Sequence, residues 1–264
     1  MKHLLFLLTA VIAVVNASAQ KLPNKQEGSL KAPANVKVDG KLNEWGELKA
    51  YNSATGLFYT LANDEQNLYL AIRINNKPLM AKIFGAGISL AFKPAGNAAK
   101  KEDASINFLA FPKDNRFAID ELLKDTVAND LKVINKAINA ALKSIIVKNL
   151  DDVKGDSISV YNDYGIMAAS YLNDTKNYTC EIAIPLKYLK SFIANNALIN
   201  YTLQANAVTL SSMKVVMNGK VVDNASASPQ IMEMMNRMSQ ADKSGGLNEL
   251  MNDTNVSGQY TLAK

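Results

Sequence analysis

Seven carboxylates come first among the side chains in this sequence that could do chemistry. Asp103, Asp114, Asp120, Glu121, Asp151, Asp152 and Asp163 are of the type that glycosidases use as an acid and base pair facing each other across a sugar bond. Each sits in a polar stretch or on an expected helix surface, where a carboxylate is ordinarily just solvated, and no spacing sets two of them opposite each other. Asp151-Asp152-Val153-Lys154-Gly155-Asp156 superficially resembles a calcium loop, but Val153 and Lys154 supply no side-chain oxygen where such a loop needs spaced ligands. The one histidine is His3, inside a segment that reads as a leader. A processed chain would have no imidazole, which removes Ser-His-Asp and Cys-His catalysis, histidine-bound zinc or copper, and histidine-bound haem.

The lone Cys180 lies in the alternating run from Tyr178 to Ile184 and reads as a small core residue, since no basic neighbour is there to activate it. Met232, Met234, Met235 and Met238 crowd one expected helix. Thioethers bind Cu(I), but no His or Cys lies nearby to complete a site, so packing or a partner-facing role is the stronger reading. No metal or other cofactor is expected. Tyr161-Asn162-Asp163-Tyr164 has the chemistry of a sugar site, with rings for a sugar face and an amide and acid for its hydroxyls, although Asn-Asp is also common turn sequence.

The elements that must position these residues read mainly as strands. Leu57 to Leu61, Leu68 to Ile74, Ile88 to Phe92, Ser105 to Phe111, Ser157 to Val160, Gly165 to Leu172, Tyr178 to Ile184, Ile199 to Leu210 and Ser257 to Leu262 are short, β-branched or aromatic runs separated by Gly, Asn and Asp. Val36 and Val38 begin the same alternation. Apolar residues from Ile119 to Ile145 recur at threes and fours, which predicts a long helix or helix pair over about 118–147. A second helix is expected near 229–241, with Ser228 as cap and Pro229 at the first helical position. One long helix among many strands argues for an antiparallel β-sandwich with a helical insertion rather than alternating βαβ units.

Met1-Lys2-His3, the apolar run Leu4 to Val15 and Ala17-Ser18-Ala19 have the form of a secretory signal cleaved after Ala19. The apolar run is shorter than a membrane span needs, and no Cys follows it for lipid attachment. The expected division is therefore a signal peptide over 1–19, a flexible polar segment over 20–34 and one domain over 35–264, exported to the periplasm or beyond. With 29 Lys and Arg against 24 Asp and Glu, and no basic block, nucleic acid is not an expected partner.

Lys37-Val38-Asp39-Gly40-Lys41-Leu42-Asn43-Glu44-Trp45 resembles the opening of the family 9 carbohydrate-binding modules, with its apolar-Asp-Gly and later Trp. Asn63-Asp64-Glu65-Gln66-Asn67-Leu68-Tyr69-Leu70 looks like that family's acidic turn and Leu-Tyr strand, and Glu181-Ile182-Ala183-Ile184-Pro185 like its Glu-apolar-Ala-Ile-Pro strand. The resemblance covers about 35–93 and 175–210. It implies a jelly-roll-like β-sandwich in carbohydrate recognition or breakdown, with Asp39, Gly40, Trp45, Tyr69, Glu181 and Pro185 as structural motif residues. The chain departs from the family at the usual ligand site: its only Trp is already used, and Phe84 is the one aromatic in Phe84-Gly85-Ala86-Gly87-Ile88, where acids are missing.

The expectation is a non-catalytic glycan-binding module with Phe84, Tyr161, Asn162, Asp163 and Tyr164 as candidate ligand contacts and no catalytic residues. A cell-envelope protein-interaction module using the two helices is the alternative, and a glycoside hydrolase component is the third reading.

Overall fold

The computed structural model describes residues 21–98, 101–112, 130–209 and 246–264, with Asn115, the segments 215–217 and 220–222, and Pro229, Ile231, Glu233, Asn236 and Arg237. The expected signal peptide lies outside the described residues, as do Asp114, Asp120, Glu121 and the four clustered methionines.

The fold is mainly β. Strands β1 (Ala50–Asn52), β2 (Leu57–Asn63), β3 (Asn67–Ile74), β8 (Met167–Leu172) and β9 (Tyr178–Pro185) form a five-stranded antiparallel sheet in the order β1-β2-β3-β9-β8. Strands β4 (Ile88–Phe92), β5 (Ala104–Phe108), β6 (Ser144–Lys148), β7 (Ser157–Ser159), β10 (Leu198–Ala205) and β13 (Thr254–Thr261) form a six-stranded one in the order β13-β10-β4-β5-β6-β7. Val215–Met217 and Lys220–Val222, β11 and β12, make a separate hairpin. Period-two alternation sends Leu57, Tyr59, Leu61, Leu70 and Ile72 from one sheet, and Ile88, Leu90, Phe92, Tyr201 and Leu203 from the other, into one shared core. The Tyr59 and Tyr201 hydroxyls meet across it at 3.0 Å, so each buried phenol has a partner.

Among the described residues, helices α1 (Lys77–Ala86), α2 (Leu131–Ala141) and α3 (Gly246–Met251) decorate the sheets. Helix α1 was not evident from the periodicity, yet its start signal is in the sequence: the Asn76 side chain accepts from the Leu79 N–H, and Pro78 lies in the first turn. Phe84 is therefore helical rather than part of a strand leading into β4.

The expected helix over 118–147 is corrected in its second half. Helix α2 ends at Ala141, and Ser144–Lys148 is strand β6, paired to β5 and β7. Ile134, Ile138 and Leu142 do keep helical spacing, but the next apolar residues, Ile145 and Val147, are two apart and both buried, which is strand periodicity on one sheet face. Residues 118–129 lie outside the described residues. Of the expected helix near 229–241, the described residues Pro229, Ile231, Glu233, Asn236 and Arg237 are helical. Val36 and Val38 form no strand; they pack in an irregular segment discussed below.

The segment expected to be flexible over 20–34 is instead bound to the sheet along residues 23–32. Strand β1 covers only the first residues of β2, and the earlier chain over 26–32 covers the rest of that edge. The Gln26 side-chain amide bonds both backbone groups of Leu61, donating to its carbonyl and accepting from its N–H, each at 2.7 Å. Leu30 and Ala32 similarly bond Asn63. At the opposite edge Asn135 of α2 does the same to Leu172 of β8, accepting from its N–H at 2.8 Å and donating to its carbonyl at 2.9 Å. A side-chain amide carries the same donor and acceptor pair as a backbone peptide, so Leu61 and Leu172 are each satisfied at a sheet edge without another strand.

Replacing Asn135 by Ala leaves the Leu172 backbone groups buried without partners, and is expected to cost about 1–3 kcal/mol in urea unfolding. Gln26→Ala is expected to speed amide exchange at Leu61 and across 24–32 while leaving β9 protected; unchanged exchange would show that the amide contacts do not hold this segment.

Candidate functional site

The five-stranded sheet has a second, outward face, and the same alternation decides what lies on it. Phe58, Thr60 and Ala62 from β2, Tyr69, Ala71 and Arg73 from β3, and Thr179, Glu181 and Ala183 from β9 point away from the main core. Half of this face is roofed by the chain over 30–48. Trp45, Leu48, Ala62, Tyr69, Ala71 and Ala183 form a small second core, with Leu30, Ala32, Val36, Val38, Leu42 and Phe58 packed against it. Trp45 stands edge-on to Tyr69 with ring centroids 6.1 Å apart.

One carboxylate pins this roof. Glu181 is 1% exposed. Its Oε2 accepts from the backbone N–H groups of Asp39 at 3.1 Å and Gly40 at 2.8 Å, and its Oε1 accepts from Trp45 Nε1 at 2.7 Å. The Gly40 carbonyl in turn accepts from the Thr179 hydroxyl at 2.6 Å. Gly40 has φ +83°, and a Cβ there would lie 2.4 Å from the Ser170 carbonyl carbon, so no side chain fits between the turn and β8. Burial raises the Glu181 carboxyl to about 7, against the opposing pull of its three N–H donors.

The other motif residues serve the same end of the sheet. Tyr69 donates to Asp64 Oδ2 at 2.7 Å, and Asp64 also accepts from the Gln66 and Asn67 N–H groups. Burial and the Asp64 charge push the Tyr69 phenol to about 12. Although burial raises the Asp64 carboxyl, its hydrogen bonds more than offset this and hold it below its ordinary value. Pro185 ends β9, and Leu186 N–H bonds the Gln66 carbonyl just beyond it. All six residues of the sequence motif are thus brought to one face or one end of a single sheet.

At the margin of the roof runs one transverse row that is only partly covered. Tyr51, Phe58, Arg73, Thr179 and Tyr171 are successive cross-strand partners on β1, β2, β3, β9 and β8. The roof on one side and the turn 173–177 on the other enclose a groove of about 520 Å³ over the Arg73, Thr179 and Tyr171 end of this row, with Lys41, Asn43 and Asp174 on its walls. The Arg73 guanidinium lies 4.5 Å over the Phe58 ring, and Lys41 Nζ lies 5.2 Å from the centre of the Tyr171 ring. Asn173 Oδ1 is committed to the turn itself, accepting from Thr175 Oγ1 and Asn177 N–H. The Asn43 side chain has no protein partner among the described residues, which leaves its amide available to a ligand.

The residues singled out in advance as ligand contacts do not converge. Phe84 is buried in the main core, its ring 4.7 Å from Phe111 and 5.0 Å from Tyr178, and it offers no open face. Tyr161 is 80% exposed, with Lys143 Nζ 5.5 Å from its ring. It lines a depression with Asp39, Leu142, Met167 and Ser170, whereas Asp163 and Tyr164 line a different one with Glu65 and Lys187. Asn162 is spent on the loop: its amide donates to Ser159 and Ile166 carbonyls and accepts from Tyr164 and Ile166 N–H groups. Tyr164 accepts from Lys154 N–H and packs edge-on to Tyr188.

Of the carboxylates weighed for chemistry, Asp151 is structural, accepting from Ser191 N–H at 2.7 Å and Lys101 at 3.0 Å. Asp103, Asp152 and Asp163 are exposed. Cys180 is buried in the core, and burial pushes its thiol well above the ordinary value. Among the described residues no group of three or more His, Cys, Asp or Glu side chains could hold a metal ion, and no helix is long and apolar enough to cross a membrane. Arg73 and Tyr171, the groove residues missed in advance, do leave a trace in the sequence. In Leu68 to Ile74 the single charged residue falls on the outward phase, and so does Tyr171 in β8.

No protein-family model matches the chain, and no curated protein is significantly similar to it.

Glu181→Gln keeps the shape but sets an NH2 group against either Trp45 Nε1 or the Asp39 and Gly40 N–H groups, a donor facing a donor. A loss of about 1–3 kcal/mol is expected. The folded Glu181 carboxyl binds its proton more tightly than an unfolded one at 4.5, so its stabilising contribution is complete below about pH 4.5 and is lost as pH rises through about 7. Urea midpoints between pH 5 and pH 8 are expected to fall in the native protein and to be flatter in Glu181→Gln; equal slopes would contradict the assignment.

Proposed function

We propose that this protein is an exported, non-catalytic β-sandwich module of jelly-roll-like form that binds a glycan in the groove beside the Trp45 roof. The observation that carries the reading is the groove itself. It is an open trough of about 520 Å³, within the size range of ligand sites, with its floor on strands β3, β9 and β8 and its walls on the pinned loop 41–48 and the turn 173–177. Its floor offers the Tyr171 ring and the Arg73 guanidinium, and its walls offer the Asn43 amide and the outer polar edge of the turn carrying Asn173, Thr175 and Asn177. A sugar needs that combination of flat apolar surface and fixed polar groups.

The motif stretch Val38 to Trp45 supports the reading independently, because it resembles family 9 carbohydrate-binding modules and here builds the groove's wall. Hydrolysis is not favoured: Asp174 is the one carboxylate among the described lining residues, and paired-carboxylate chemistry requires two. The apolar leader ending at Ala19 supports export.

A second reading is a cell-envelope protein-docking module. It is favoured by the exposure of Tyr161 and Met167, which line one depression.

Glycan-array screening of the purified protein, followed by calorimetry on each hit, tests the proposal. Specific binding is expected, weakened at least about tenfold, or 1.4 kcal/mol, by Tyr171→Ala and by Asn43→Ala, with melting temperatures close to the native one. Binding that survives both variants but is lost in Tyr161→Ala would move the site to the other depression. A blank array from folded protein would reject glycan binding in favour of the docking module.

A further inference from the structure

We infer that the groove is built for an anionic saccharide, one bearing carboxylate or sulfate groups, an inference that rests on the glycan reading above. The two cations of the groove carry it. Arg73 is the one charged residue of β3, next to its last residue, and its guanidinium is laid over the Phe58 ring at 4.5 Å, with Tyr51 a further 4.4 Å from Phe58. Stacking of this kind fixes the plane of the guanidinium while leaving its N–H edge free, and that edge matches the two oxygens of a carboxylate or sulfate. Lys41 is held near the face of Tyr171 at the other end of the same floor.

Neither cation is neutralised. Among the described residues the ion pairs are Lys101 with Asp151 and Arg237 with Glu233, both away from the groove. Asp174, the one acid among the groove's lining residues, is exposed and pairs with neither Arg73 nor Lys41. A strand-mounted arginine that spends no hydrogen bond on the protein is held ready for something outside it. Arg73 on β3 and Tyr171 on β8 are separated by β9, about 10 Å by strand spacing. A short chain of sugars bridges that separation and a single ring does not, so the ligand is an oligosaccharide rather than a monosaccharide.

The test uses the purified protein on an array of matched neutral, uronate-bearing and sulfate-bearing oligosaccharides, with calorimetry on the best binder and, for a uronate, its methyl ester. Anionic glycans are expected to bind in preference to their neutral counterparts. Arg73→Gln is expected to weaken binding by roughly 10–100-fold, the range for a lost charge-assisted hydrogen bond, and Lys41→Gln by less; added salt weakens binding further. Arg73→Lys, which keeps the charge but not the fork, is expected to fall between native and Arg73→Gln, and melting curves of all three variants check that they are folded. Whether uronates or sulfates bind distinguishes the two sources of negative charge. Neutral glycans bound equally well, with affinity lost in Tyr171→Ala but kept in Arg73→Gln, would overturn the charge inference and leave glycan binding standing. Anionic binding indifferent to both Arg73→Gln and Lys41→Gln would overturn the role given to these cations. A folded protein that binds no glycan at all would overturn both readings.

Discussion

The hydrogen bonds from Asp39, Gly40 and Trp45 to the buried Glu181 carboxylate are the constraint on which the outward face of this protein depends. Removing a carboxylate from water is costly, and only well-aimed donors offset the cost. Glu181 receives three, all from one short loop, so the loop cannot drift without exposing the carboxylate to an unsatisfied environment. Trp45 is thereby set over Tyr69, the second core closes beneath it, and the chain from Lys41 to Leu48 becomes the rigid wall of a groove. Gly40 completes the arrangement, because its turn lies against the Ser170 backbone where no Cβ fits.

The second constraint concerns the edges of the same sheet. Strand β1 is three residues long and leaves most of the β2 edge uncovered, while among the described residues β8 has no strand on its outer side. The protein meets both with primary amides, Gln26 on Leu61 and Asn135 on Leu172. Each of these edge amides uses up a donor and an acceptor that another strand would need. They also explain why the polar segment over 23–32 is ordered: its residues have no hydrophobic period, but they have specific backbone partners.

Much of the sheet structure was legible from alternation alone, since Leu57 to Leu61, Leu68 to Ile74 and Tyr178 to Ile184 send one phase into the main core and the other to the outward face, where the roof buries most of it. The motif residues were legible as structural ones for a related reason, because a Gly after Asp and a lone Trp imply a turn and an anchor. Their partner relations were not, for nothing in one dimension shows that Glu181 lies beneath residue 40. Helix α1 was hidden by its short length and by apolar residues that also suit a strand, although Asn76 and Pro78 marked its start. The join from α2 to β6 was hidden because Leu142 and Ile145 continue a spacing of three that helices share. The ligand candidates were chosen for chemistry without knowledge of direction: Phe84 faces inward, Tyr161 and Tyr164 part into separate depressions, and Asn162 is consumed by its own loop. Arg73 and Tyr171 needed the strand register to be seen as neighbours of one groove.

The groove's chemical character follows from that register. Five strands in line present Tyr51, Phe58, Arg73, Thr179 and Tyr171 side by side, and the roof covers everything except one end of this row. The most direct test of the account is hydrogen exchange measured with and without the best-binding glycan. Slowed exchange confined to the amides of 41–48 and 173–177 is the result the account requires; protection that arises instead over 159–166, with none at the groove, would contradict it.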